Sequence, residues 1–100
     1  MKIRENGREI PVDVYAIYWD NGVRIYSVIP YEGYEGLISI SENESVVVDN
    51  NINKFIIRKS DYENDIIIHE AADKDGLIYK LIDHDAEAMI EFKRRLVDYE

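Results

Sequence analysis

Apolar runs in this chain are short, and residues that favour turns separate them as far as position 82. The longest run covers residues 15–19, whereas a membrane-spanning helix needs about 20 apolar residues. Runs of this length, bounded by Gly, Asn and Asp, are typical of short β-strands. The chain is therefore restricted to a fold in which many short strands pack together.

An Asn-Gly pair, the strongest short hairpin signal, occurs at positions 6–7 and again at 21–22. Both residues of such a pair tolerate a positive φ, which a two-residue hairpin turn requires. We predict a hairpin over residues 3–10 and a second over 12–29, which Pro30 ends. In the first strand of the second hairpin both alternating sets of side chains are apolar. That pattern indicates a strand covered on both faces.

Five further segments are β-branched or alternate between apolar and polar residues. Ile38 and Ile40, for example, alternate with Ser39 and Ser41, which is the period of a half-buried strand. Polar residues that favour turns separate these segments. We predict strands over residues 37–41, 46–48, 55–59, 66–70 and 77–82, with turns at 42–44, 49–51, 61–64 and 73–76.

The hydrophobic period changes from two residues to that of a helix near Asp83. Apolar residues then recur at helical spacing, at Ala86, Met89, Ile90, Phe92, Leu96 and Val97. Asp83 suits an N-cap, and the basic residues 93–95 suit the C-terminal end of a helix dipole. We predict one helix over about residues 84–98.

Seven or eight short strands followed by one helix predict an α+β fold that is mainly β. At 100 residues the chain forms one domain, 1–100. A flat sheet would leave one face uncovered, so we expect an antiparallel curled sheet or small barrel. This order of elements resembles that of pleckstrin-homology-like barrels, although Trp19 lies in a predicted strand and not in the last helix. We take no function from the resemblance.

Composition excludes several classes of function. With 21 acidic and 12 basic residues the formal net charge is -9, which opposes direct binding to nucleic acid or an anionic membrane. The absence of cysteine excludes a disulfide scaffold, a thiol nucleophile and Cys-ligated zinc. The N-terminal residues contain no apolar signal segment, so we expect a cytoplasmic protein. No cofactor motif is present, and we expect no cofactor.

The negative charge is concentrated in two blocks. Residues 25–53 contain five acidic side chains and no basic one, and residues 61–75 contain six acidic side chains and one basic. Each block therefore carries -5, and the remaining residues sum to +1. Such blocks favour docking on a basic protein. The alternative is that they only keep a small protein soluble.

Residues 31–36 repeat Tyr-Glu-Gly twice, and their two glycines predict a loop. Tyrosines on a loop offer a large contact area at low entropic cost. The predicted partner-binding residues are Tyr31, Glu32, Tyr34 and Glu35, followed by Glu42, Glu44, Asp61 and Glu63. The alternative is a connecting loop whose tyrosines fold back onto the sheet.

Two other patterns resemble metal or catalytic motifs but lack essential residues. Residues 73–76 read Asp-Lys-Asp-Gly, yet a calcium-loop alignment places Ala71 and Ile82 where oxygen ligands are required. His69 and His84 each have neighbouring carboxylates, but their spacing matches no metal-ligand motif. We predict a turn at 73–76 and assign no metal or catalytic residue.

These features favour a non-enzymatic protein-binding module. The most concrete form is a small acidic inhibitor of the immunity, antitoxin or phage-blocker type. It would dock on the basic surface of a nuclease or other nucleic-acid-binding protein. The alternative is a barrel-type ligand-binding or scaffold and oligomerisation domain, in which an edge strand such as 46–48 pairs with another chain. A small enzyme that uses His69 or His84 is the third hypothesis.

Overall fold

A computed structural model describes residues 1–59 and 65–99, and all helices and strands below belong to this part of the chain. It contains seven antiparallel strands and three α-helices, which confirms the predicted α+β, mainly β class. The strands are β1 (Lys2–Glu5), β2 (Val12–Asp20), β3 (Val23–Val28), β4 (Ile38–Ser41), β5 (Ser45–Asp49), β6 (Phe55–Arg58) and β7 (Ile66–His69). The helices are α1 (Glu70–Asp73), α2 (Leu77–Ile82) and α3 (Ala86–Val97). The turn predicted at 61–64 lies outside the described residues.

The hairpin of β2 and β3 forms as predicted. Asp20 pairs with Val23, and the two residues between them have positive φ values, 51° at Asn21 and 80° at Gly22. This two-residue turn matches the right-handed twist of the strands. The second Asn-Gly pair therefore sets the register of the longest strand in the sheet.

The sheet is curled, with β2 near its centre. Its main order is β4-β3-β2-β1-β5, and the 3₁₀ turn Glu42–Glu44 alone joins the two end strands, β4 and β5. The edge of β2 opposite β3 is shared, because its start pairs with β1 and its middle pairs with β7. β7 in turn pairs with β6. The sheet thus divides at β2 into two ribbons.

Two apolar clusters cover the two faces of the sheet. One packs Ala16 and Ile68 against the helices, and the other fills the inside of the curl around Ile3 and Tyr26. β2 contributes to both, because Ala16 belongs to the first cluster and its neighbour Ile17 to the second. The prediction of a strand buried on both faces is confirmed.

The predicted hairpin over 3–10 is wrong. A turn does form, since the Arg8 amide donates to the Glu5 carbonyl (3.0 Å). However, Ile3 pairs with Val12, and Ile10 is 76% exposed outside the sheet. β1 obtains most of its pairing from β5, so the chain needs no immediate return strand.

The strand predicted over 77–82 is also wrong, because this segment is α2. Leu77, Ile78 and Leu81 are buried while Tyr79 is exposed. That spacing of i, i+1 and i+4 is helical, and the alternation of apolar residues was coincidental. Of the residues predicted as a turn at 73–76, Asp73 ends α1 and the other three form a 3₁₀ turn before α2, in which Asp75 has a positive φ of 62°.

The predicted C-terminal helix is confirmed as α3, with differences in its cap and its buried face. Its N-cap is Asp85, not Asp83, and the Asp85 carboxylate accepts a hydrogen bond from the Ala88 amide (3.0 Å). Phe92 and Met89 are buried as predicted, whereas Ile90 and Val97 are exposed. α3 packs mainly against α1 and α2, and its buried face, formed by Ala88, Met89 and Phe92, is narrower than the sequence indicates.

Candidate protein-binding surface

Residues 31–36, here called the tyrosine loop, connect β3 to β4. Tyr31 is 59% exposed, and Glu32 and Glu35 are exposed beside it. Tyr34 is half-buried, and its amide donates to the Tyr31 carbonyl (3.2 Å). One tyrosine therefore projects outward and the other folds back, so each of the two predicted arrangements describes one of them.

His84 holds the base of the tyrosine loop. Its ring meets the Tyr34 ring edge-on at 5.5 Å, and Tyr34 meets Tyr31 in the same way at 5.4 Å. A Cβ built on Gly36 would lie 2.6 Å from the His84 ring, so only glycine allows this approach. The Leu37 amide also donates to the Leu81 carbonyl (3.2 Å). The loop is thus fixed at its base and open at its tip.

A groove of about 850 Å³ lies beside the tip of the tyrosine loop. Three segments line it: residues 8–13 before and at the start of β2, residues 29–33, and Lys93 with Leu96 of α3. Tyr15 of β2 also lines the groove. A concave site of this size, with apolar side chains and a few polar groups, is typical of binding sites.

Arginine side chains fix the two facing walls of the groove. The Arg8 guanidinium donates to the Pro30 carbonyl (3.2 Å) across it and lies 3.5 Å from the Glu5 carboxylate. The Arg4 guanidinium donates to the Arg8 carbonyl (3.2 Å). A groove whose walls are already bonded together loses little conformational entropy when a ligand enters.

Three acidic residues (Glu9, Asp13 and Glu32) and two basic ones (Arg8 and Lys93) line the groove. Glu9 and Glu32 are exposed on different walls, and neither has an ion-pair partner among the described residues. Asp13 lies 3.4 Å from Lys2. Burial raises the pKa of the Tyr15 phenol, and the Asp13 charge adds to the rise. The Tyr15 phenol, which lines the groove, therefore stays protonated and neutral at physiological pH.

The other predicted partner-binding residues lie elsewhere. The Glu42 carboxylate accepts a hydrogen bond from the Arg24 amide, and Glu44 is exposed in the adjacent 3₁₀ turn. The four residues of β4 lie between this turn and the tyrosine loop. At about 3.3 Å per residue, they separate the two by about 13 Å. The structure thus separates the first group of predicted residues from Glu42 and Glu44. Asp61 and Glu63 lie outside the described residues.

The histidines occupy two separate aromatic clusters. His69 is buried and touches the rings of Tyr15, Phe55 and Tyr99 at 5.8, 5.4 and 4.9 Å. Its Nδ1 accepts a hydrogen bond from the Ala71 amide (3.1 Å), which caps α1. Burial lowers the pKa of His69; the amino terminus and Lys54 also lower it, and Glu70 and Asp13 partly oppose the decrease.

The described residues contain no group of three or more His, Cys, Asp or Glu side chains that could hold a metal ion. In the segment that resembles a calcium loop, Asp73 forms two hydrogen bonds with Arg58 (2.8 and 2.7 Å). Asp75 lies 3.4 Å from Arg95. Asp73 therefore links α1 to β6, and Asp75 links the turn after α1 to α3.

Sequence reasoning identified the tyrosine loop but not the groove beside it. The sequence places residues 8–10 of the opposite wall in a predicted hairpin, and it places Lys93 and Leu96 in a predicted helix with no link to a groove. The apolar Ile10-Pro11 pair in an otherwise polar segment is the one local signal. Because the groove lies where three distant segments meet, local sequence patterns do not predict it.

No protein-family model, no curated protein and no solved structure matches this chain. Within residues 1–59 and 65–99, none of the helices is both long and apolar enough to cross a membrane. The function must therefore be inferred from the tyrosine loop and the groove beside it.

Proposed function

We propose that this protein is a non-enzymatic protein-binding module, and most concretely a small acidic inhibitor that docks on a basic protein. A cytoplasmic nuclease or other nucleic-acid-binding protein is the expected partner, and no cofactor is involved. The observation that carries the proposal is the tip of the tyrosine loop, where exposed Tyr31 and Glu32 form one wall of a groove with a fixed opposite wall.

Electrostatic attraction would act first. The net charge of -9 would accelerate encounter with a basic surface and repel other acidic proteins. Tyr31 would then be buried in the contact. Aromatic side chains of this kind often contribute most of the binding energy of an interface.

The fixed base of the loop favours this role. Tyr34 and His84 hold the loop, so little conformational entropy remains to be lost on binding. Glu32 and Glu35 are exposed in the same loop as Tyr31 and would pair with Lys or Arg of the partner. An acidic residue beside a rigid aromatic ring combines specificity with contact area.

The test measures affinity for a panel of purified basic nucleases and nucleic-acid-binding proteins by biolayer interferometry, with nuclease inhibition as a second readout. Glu32→Lys and Tyr31→Ala should each weaken binding to the partner at least tenfold. Asp20→Lys is the matched control, since Asp20 is exposed at the far end of β2, about 26 Å from Val12. The proposal fails if Glu32→Lys and Asp20→Lys weaken binding equally, or if no basic protein binds.

A scaffold or oligomerisation domain is the second candidate function. It is favoured by one observation, the row of exposed valines on the edge strand β5. In that case the acidic surface would serve solubility only, and the loop variants would leave all assembly unchanged.

A further inference from the structure

β5 is an edge strand that has a bulge at Val48 but little other protection. Among the described residues it pairs only with β1, and its valines Val46, Val47 and Val48 are 49%, 41% and 54% exposed. Edge strands normally carry a lysine, a proline or a covering element that prevents pairing with another chain. β5 contains neither lysine nor proline. Three consecutive exposed valines thus make β5 available for pairing.

The hydrogen-bonding pattern indicates which backbone groups of β5 point away from β1. The Asn6 amide donates to the Glu44 carbonyl (2.8 Å). Hydrogen-bonded pairs alternate along an antiparallel ladder, so the next such pair is Arg4 with Val46, which the register places opposite each other. The N–H and C=O groups of Ser45 and Val47 therefore point to the open side.

The segment 44–50 is complementary to itself when two copies run antiparallel. Centred on Val47, the seven residues Glu-Ser-Val-Val-Val-Asp-Asn pair valine with valine at all three central positions. Each acidic side chain then faces a neutral one, since Ser45 lies opposite Asp49, and Glu44 lies opposite Asn50. Moving the centre by one residue, to Val46 or to Val48, places Val47 opposite Ser45 or Asp49. Moving the centre to Asp49 would bring the two Asp49 carboxylates together.

We propose that two copies of this chain associate through β5, so that the ribbon continues as β1-β5-β5-β1 about a two-fold axis. Valine pairs and main-chain hydrogen bonds of Val47 form the centre of the interface. Repulsion between the acidic residues at the ends of the segment disfavours other alignments. A bulge at Val48, which the shift from Ile3–Val47 to Lys2–Asp49 creates, shortens the ladder. The dimer is therefore weak and depends on concentration. It does not involve the tyrosine loop, so it stands or falls separately from the proposed inhibitor, and it makes the oligomerisation candidate specific.

Sedimentation equilibrium of the whole chain tests the proposal. The mass should rise from 11.7 kDa toward twice that value as the concentration increases from about 10 μM to about 1 mM. Val47→Lys should remain monomeric, because like charges meet at the two-fold axis. Val97→Lys, which adds the same charge on the exposed face of α3, should dimerise like the wild type.

A mixing experiment guards against a variant that is simply unfolded. Val47→Lys and Val47→Glu should each be monomeric alone, because residue 47 of one copy faces residue 47 of the other and like charges repel. When mixed they should form a heterodimer, because lysine then faces glutamate. Far-UV circular dichroism verifies the fold of each variant. A wild-type mass that stays at 11.7 kDa would overturn the proposal. So would a Val47→Lys dimer, or folded variants that do not associate on mixing.

Discussion

His69 and His84 occupy two aromatic clusters that share a ring geometry but not an environment. In the inner cluster, buried His69 touches Tyr15, Phe55 and Tyr99 edge-on. In the outer cluster, exposed His84 touches Tyr34 in the same way. The inner cluster joins β2, β6, β7 and the residues after α3, whereas the outer one attaches a surface loop. The same edge-on contact thus stabilises the core at one site and positions a binding loop at the other.

Removal of an aromatic ring should distinguish the clusters most strongly. Phe92 is fully buried and meets Tyr15 at 4.9 Å, so Phe92→Ala should lower the free energy of unfolding by about 3–5 kcal/mol. Tyr34→Ala should cost about 1 kcal/mol, because Tyr34 is only half-buried. Urea denaturation followed by circular dichroism measures both values. Equal losses would show that the clusters do not differ in kind.

The close approach of His84 to Gly36 is the next largest effect. Gly36→Ala should cost about 2–3 kcal/mol, since the new Cβ meets the His84 ring and φ is positive. Gly33→Ala is the control: its φ is also positive, but its Cβ meets nothing within 4 Å, so about 1 kcal/mol is expected. His84→Ala in the Gly36→Ala background should recover part of the difference. If it recovers nothing, the contact is not the cause.

Acid should destabilise the inner cluster. The pKa of folded His69 is lowered, so the unfolded chain binds the proton first as pH falls below about 6.5. Stability should therefore decrease as pH falls from about 6.5 through the pKa of folded His69. The Asp73 and Glu91 carboxylates, whose pKa values arginines lower (that of Glu91 to about 2), contribute only at lower pH.

Asparagine substitutions separate the two histidines in this pH range. His69→Asn keeps an oxygen that can accept the Ala71 amide hydrogen bond but cannot titrate, so the loss of stability between pH 7 and 5 should disappear. His84 has a positive φ of 59°, which asparagine tolerates well, so His84→Asn is the matched control that removes a histidine and leaves His69 in place. A His69→Asn profile that matches wild type would exclude His69 as the cause.

The smallest effect on stability is expected at Tyr31. Its ring is mostly exposed, so Tyr31→Ala should change the free energy of unfolding by less than about 0.5 kcal/mol. The same variant should weaken binding to the basic partner. Thermal unfolding beside the affinity measurement distinguishes these effects. A large loss of stability would place Tyr31 with the structural residues of the loop.

Elements with strong local signals could be predicted from the sequence. The β2–β3 hairpin follows from its Asn-Gly turn, and α3 follows from apolar residues at helical spacing. The strand prediction over 77–82 is wrong, because the apolar residues of so short a segment fit both a strand and a helix. The tyrosine loop could be located from its glycines and tyrosines, but not the degree to which each tyrosine is exposed.

Pairing partners were less predictable than the elements themselves. Nothing near Lys2–Glu5 indicates that β1 pairs mainly with β5, more than 40 residues later. For the same reason the facing wall at residues 8–11 and the contribution of α3 to the groove were not predicted. Contacts between distant segments depend on how the whole sheet curls.

The sequence alone is enough to predict the class of the fold, the central hairpin, the C-terminal helix and the acidic character of the surface. Turn chemistry, hydrophobic period and charge are properties of neighbouring residues, so they can be read along the chain. The tertiary structure was needed to show that His69 is buried while His84 is exposed. It was also needed to show that Tyr34 folds back while Tyr31 projects, and that a groove lies beside the loop. Burial and concavity arise where segments far apart in sequence meet, and the packing of the curled sheet against its helices sets both.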